Sequence, residues 1–176
     1  MRELGWDELI AYLDTASFTG LLFEGQFMEF DGIKRFLPMS TPVYLETATS
    51  LLKLSTGVNN GNVFFSVVDA PTWESFGEDW EEMDEVGVVD VGSTYFGDDP
   101  VQCTQLRCAI DNQPGPENGE VLLVEMTFTR EQRVLFDPWW DAFRVQTAMS
   151  LESAHIFTDF LAGKVDVREW SRPAAE

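Results

Sequence analysis

The amino-acid sequence predicts an α+β fold: a mainly antiparallel sheet built from hairpins, with an N-terminal helix, a C-terminal helix and one or two helices between. Three observations lead there. Residues 102–110 and 121–129 are runs in which apolar and polar residues alternate, the mark of strands with one packed face. Asp31-Gly32 lies between two further runs, and this dipeptide favours a two-residue hairpin turn. Helical spacing appears at both ends of the chain, yet no strand–helix–strand rhythm calls for a parallel sheet.

In chain order, residues 5–16 read as an amphipathic helix. Trp6, Leu9, Ile10 and Leu13 share a face, and Asp7 and Glu8 sit in the first turn, where the helix dipole favours anions. Residues 26–30 and 33–37 flank Asp31-Gly32, which supplies the positive φ angles of a type I′ turn. Thr41-Pro42 reads as a helix start with proline at the first helical position. Leu45, Ala48, Leu51 and Leu52 continue it along one face, and Gly57 closes it. Asn59-Asn60-Gly61 is a turn, and residues 63–68 are the short apolar run of a buried strand. Residues 72–83 line up Trp73, Phe76, Trp80 and Met83 on one side of a helix that Gly77 interrupts. Residues 86–91 are strand-like, and residues 93–100 form a loop ending in Asp98-Asp99-Pro100.

The two alternating runs are joined by a Pro/Gly/Asn stretch at residues 113–119. In the second run Leu122, Val124, Met126 and Phe128 share the packed face, while Glu125, Thr127 and Thr129 take the face nearer to water. Asp137-Pro138-Trp139-Trp140 gives an N-cap followed by a first-turn proline. Ser150 caps a last helix, with Leu151, Ala154, Phe157 and Leu161 as its stripe and Gly163 at its end. The tail past Arg172 is expected to fray. With no repeat, linker or low-complexity segment, residues 1–176 make a single domain.

Charge narrows the function. Thirty-one Asp and Glu against 11 Lys and Arg give a net charge of −20, while the 44% apolar content is too high for a disordered chain. No apolar run is long enough to cross a bilayer. Glu3, Asp7, Glu8 and Asp14 occupy the place of a secretory signal's apolar core, so a cytoplasmic location is expected. The acidity is uneven. Between Lys53 and Arg107 no basic residue occurs, yet Asp69, Glu74, Glu78, Asp79, Glu81, Glu82, Asp84, Glu85, Asp90, Asp98 and Asp99 do. Such a field repels nucleic acid and anionic membranes and draws basic proteins; it also serves solubility alone.

The chemistry-bearing residues are few. His155, the one histidine, falls at the edge of a predicted helical stripe, a common place for a hydrogen-bonded core residue. Cys103 and Cys108 lie in one predicted strand at opposite parity, so they suit two reduced, buried thiols better than a disulfide. No cluster suits a transition metal, residues 79–85 lack the spacing of a calcium loop, and Gly87, Gly92 and Gly97 do not form a phosphate loop. No catalytic residue, metal or cofactor is therefore assigned. A carboxylate pair in a cleft, as in a small hydrolase, is one alternative, and a structural or adaptor protein of a phage or secretion system is another.

Binding is the stronger reading. Trp73, Phe76 and Trp80 interleave with Glu78, Asp79, Glu81 and Glu82, and Asp84, Glu85, Asp98 and Asp99 extend the acidic set. Aromatic anchors within an acidic rim suit a basic protein surface, although the same pattern also describes an amphipathic helix with its aromatics in the core. Trp139-Trp140 is a second candidate anchor. In length and character the chain, from Met-Arg-Glu-Leu-Gly-Trp to Trp-Ser-Arg-Pro, resembles the immunity proteins that protect bacteria from their own secreted toxins. More narrowly, it is similar in character to the family of the immunity factor of the tuberculosis necrotizing toxin. That resemblance implies an inhibitor that fills the active-site cleft of an NAD-hydrolysing toxin in a 1:1 complex, with no enzymatic activity and no bound NAD.

Overall fold

A computed structural model describes residues 2–57, 62–73, 85–112, 119–139, 142–147, 151 and 164–174. Its framework is two five-stranded antiparallel sheets. The first has the order β4-β3-β2-β1-β5 and the second β10-β6-β7-β8-β9. The strands are β1 (Phe18–Phe30), β2 (Ile33–Thr47), β3 (Leu51–Thr56), β4 (Val63–Val68), β5 (Val86–Asp90), β6 (Cys103–Asp111), β7 (Val121–Phe128), β8 (Arg133–Trp139), β9 (Ala142–Thr147) and β10 (Val165–Ser171). Two α-helices accompany them among the described residues, α1 (Trp6–Thr15) and the single turn α2 (Gly92–Phe96). The expected α+β class is thus corrected to a β-dominated fold. The helices expected over residues 72–83 and 150–163 lie largely outside the described residues, though Thr72 and Trp73 themselves are not helical.

The sheets face each other across one core. Leu21, Val43, Leu45, Leu52, Leu54 and Phe65 come from the first, and Leu106, Cys108, Val124, Met126, Val134 and Phe136 from the second. Leu9 and Leu13 of α1 and Phe96 of α2 close its ends. The β1–β2 hairpin forms as expected, with Asp31 at φ 52° and Gly32 at φ 75°.

Two expected helices are strands instead. Residues 41–57 form the end of β2, a turn in which Ser50 N donates to Thr47 Oγ1 at 3.1 Å, and β3. Leu45, Leu52 and Leu54 face the inter-sheet core while Tyr44, Leu51 and Lys53 are buried on the other side. A strand buried on both faces reads as an apolar run, and such a run matches helical spacing by accident. Asp137-Pro138 likewise lies in β8. The ladder from β7 ends at Phe136, so Pro138, which pairs with Phe143 of β9, interrupts no bond to β7. Part of the expected loop over residues 93–100 is α2.

Two strand details also depart from simple alternation. A register shift between Cys103 and Gln105 brings both Cys103 and Cys108 into the inter-sheet core, unbonded to each other, rather than onto opposite faces. Val124, Met126 and Phe128 face that core as expected, but Leu122 packs instead against the cluster of Ala109, Leu123, Leu135 and Leu151, and Glu125 on the supposedly wet face is 1% exposed.

The C-terminal tail holds α1 in place. That helix has no basic residue in its last turn. Arg172 supplies the missing cation from the far end of the chain: Nη1 donates to Asp14 O at 2.6 Å and Nη2 to Leu13 O, while Nε reaches Cys103 O at 2.9 Å. Replacing Arg172 by alanine should therefore lower stability by about 2 kcal/mol in urea unfolding, and lysine should restore less than half of it, because its single nitrogen cannot span the three carbonyls. Burial pushes the Cys103 thiol up to about 12 and Cys108 higher still. A thiol reagent at pH 8 should consequently label neither cysteine in the folded protein and both after denaturation.

Candidate functional site

The acid-rich stretch is tethered at both ends to β1. Trp73 donates its backbone N–H to Glu24 Oε1 at 2.8 Å. Glu85 accepts the Phe27 N–H at 2.9 Å, and its carboxylate pairs with Lys34 at 2.8 Å. Both residues have left-handed backbones, Trp73 at φ 57° and Glu85 at φ 68°. Such conformations cost non-glycine residues on the order of 1 kcal/mol and are held by the contacts around them. Phe76, Glu78, Asp79, Trp80, Glu81, Glu82 and Asp84 lie outside the described residues, as do His155 and Trp140.

Asp98 and Asp99 do not join this group. They follow α2 and precede Val101, which pairs with Phe18 at the opposite end of β1. At ~3.3 Å per residue that end is roughly 20–30 Å from Glu24 and Phe27. Asp99 instead pairs with Arg130 at 2.5 Å, both side chains exposed.

The tether at Trp73 rests on a polar cluster that the sequence reading missed. Glu24 is fully buried on the outer face of the first sheet. Tyr44 donates its hydroxyl proton to Glu24 Oε1, accepts the Thr72 N–H at 2.8 Å, and lies 3.1 Å from Thr72 Oγ1. Lys53, 1% exposed, stands beside Tyr44 in the ladder, with Ser66 on its other side. Burial, and next the hydrogen bond to Glu24, push the Tyr44 phenol well above its usual range. The available signal was a lone acid beside Leu21-Leu22-Phe23 and a lone cation within Leu51-Leu52-Lys53-Leu54. Isolated charges in strands buried on both faces must find partners there.

Other concavities are modest. One of about 280 Å³ opens beside α1, where the Arg168 guanidinium stacks 4.5 Å over Trp6 and Glu120 accepts from Asn62. Another, of about 380 Å³, is an open depression between Tyr95 and Arg133. Neither includes Trp73 or Glu85. Among the described residues no group of three or more His, Cys, Asp or Glu is placed to hold a metal ion, and no helix is long and apolar enough to cross a membrane.

No protein-family model, curated protein or solved structure matches this chain.

Tyr44 provides a direct check on the tether. Tyr44→Phe leaves the Thr72 N–H without its acceptor and removes one of the two donors to Glu24 Oε1, so stability should fall by about 2 kcal/mol in urea titration. The sign with pH is also set. Because the folded phenol binds its proton more tightly than the unfolded one, Tyr44 supports folding in full below pH 10 and loses that support as pH rises beyond it. The wild type should lose its advantage over Tyr44→Phe progressively above pH 10 in urea titrations repeated at rising pH.

Proposed function

We propose that this chain is a toxin-neutralising immunity protein. It binds the basic catalytic domain of a secreted, NAD-hydrolysing toxin in a 1:1 complex in the cytoplasm of the producing cell, blocks the toxin's active site, and performs no catalysis itself. The observation that carries this reading is the cation-free, acid-rich stretch between Lys53 and Arg107, whose most acidic part begins and ends at tethers on β1. A high local density of carboxylates raises the encounter rate with a cationic partner and pairs with its Lys and Arg on contact. The resemblance to toxin-immunity proteins selects a toxin among cationic partners. An active site that handles a dinucleotide phosphate is itself a place where basic residues gather, and carboxylates can occupy it in the substrate's stead.

Two measurements test this. Cells producing the toxin encoded beside this gene should survive when the protein is co-produced, and failure to protect them ends the immunity reading. For the purified pair, the association rate should fall as salt rises, and joint reversal of Glu78, Asp79, Glu81 and Glu82 to lysine should slow it by about tenfold or more at low salt. An unchanged rate would remove those four residues from the interface.

A further inference from the structure

Gln26 is the last residue of β1 that pairs with β5. Beyond it β1 and β2 run on as a two-stranded arm, whose ladder joins only its own strands up to the Asp31-Gly32 turn. Four more residues at ~3.3 Å each carry the arm roughly 13 Å past the sheet. Cross-strand partners share a face. Phe27 and Phe36, with Glu29 and Lys34, take one face; Gln26 and Leu37, Met28 and Arg35, and Phe30 and Ile33 take the other.

The first face is held by its own contacts. The Phe27 and Phe36 rings meet edge to face at 5.1 Å, and the Lys34 ammonium lies 5.3 Å over the Phe27 ring while pairing with Glu85. The second face is open. Leu37, Met28, Phe30 and Ile33 are 38, 41, 41 and 56% exposed, with Arg35 among them and no carboxylate. With Phe27, the arm holds five of the seven large apolar side chains exposed among the described residues. A two-stranded ribbon is marginal in water, and an apolar cluster on its tip needs a covering surface.

Continuity shows what that surface is. The β1–β5 ladder has no register shift, so Gln26 shares a face with Glu24 and Leu22. The open side of the arm therefore runs directly into the outer face of the first sheet, where Trp73 meets Glu24 and the acid-rich stretch starts. The geometry points to this face of the arm as the docking element for a protein partner whose apolar pocket is rimmed by Lys and Arg. The apolar face meets the pocket, and the chain's net charge of −20 favours the basic rim. A second copy is disfavoured, because two chains of charge −20 repel each other. An anionic lipid surface is repelled in the same way.

The inference rests on the binding reading above, but the two can fail separately. Benzoylphenylalanine placed at Ile33, and as a control at the exposed Val167 of the second sheet, is irradiated in cells of the encoding organism that also produce the adjacent gene's product. An adduct at position 33 with a protein of basic isoelectric point, absent at 167, is expected. The purified pair should then lose affinity about 100-fold on F30D/I33D substitution, with the far-UV spectrum and urea midpoint of the free protein unchanged; I33S offers a milder variant should the double one misfold. No adduct at 33, an adduct only with a second copy or with an acidic protein, or unchanged affinity overturns the proposal. A basic partner that is not a toxin ends the immunity reading and keeps the arm. Protection from the toxin that survives F30D/I33D ends the arm and keeps immunity.

Discussion

Each sheet holds a buried glutamate on its outer face, and the donors that reach one oxygen of Glu24 and both oxygens of Glu125 tie further segments to the sheets. In the first sheet Glu24 accepts the Tyr44 hydroxyl and the Trp73 N–H. In the second, Glu125 accepts the Leu151 N–H at 2.6 Å and pairs with Arg107 at 3.2 Å, with Arg133 at 3.9 Å. A carboxylate taken out of water costs several kcal/mol unless donors surround it, so the donors' positions are not free to drift. One donor in each case is a backbone N–H from a segment that reaches the outer face, after β4 at Trp73 and after β9 at Leu151. The buried charges thereby decide where the chain arrives on each sheet. For the first sheet, that point is also where the acid-rich stretch begins.

This arrangement explains which elements were legible in the sequence. α1, the β1–β2 turn, β4 and the β6–β7 pair carry local signals: helical spacing after an acidic first turn, Asp-Gly, a short bounded apolar run, strict alternation. Residues 41–57 were misread because sheets covered on both sides erase alternation, leaving Leu45, Leu51 and Leu52 at a spacing that suits a helix equally well. Asp137-Pro138 was misread because an N-cap with proline and a strand beyond the end of its neighbour's ladder look alike until the pairing partner is known. Glu125 was placed in water for the same reason, since alternation says which residues share a face but not whether another segment covers it. The burial of Cys103 beside Cys108 depends on a bulge, which shifts parity without marking the sequence.

The candidate site was legible in charge and not in geometry. The absence of cations between Lys53 and Arg107 is plain from the residues. That Trp73 and Glu85 arrive near one another on β1, while Asp98 and Asp99 sit at its far end, follows from pairings between residues far apart in sequence: Phe18 with Val101, and Gln26 with Val86. No local pattern encodes these. The hairpin at residues 26–37 was likewise visible as a hairpin, but its exposure depends on β5 beginning at Val86, which leaves the tip without a third strand.

In the proposed complex, charge and apolar surface divide the work of recognition. At physiological salt the Debye length is about 8 Å, so carboxylates act most strongly on a partner already close to them. The arm reaches roughly 13 Å past the last residue paired with β5, with the Glu85 carboxylate against its Lys34. In the proposed complex, a partner drawn in by the chain's net negative charge also meets the arm, and the contact offered there by Met28, Phe30, Ile33 and Leu37 is hydrophobic and little affected by salt. Association and dissociation then report on different parts of the molecule. On that proposal, raising the ionic strength should slow encounter through the carboxylates and leave the lifetime of the complex, governed by the arm, nearly unchanged. Were the carboxylates alone to hold the partner, salt would shorten that lifetime as strongly as it slows encounter, and the exposed apolar face of the arm would have no part in binding.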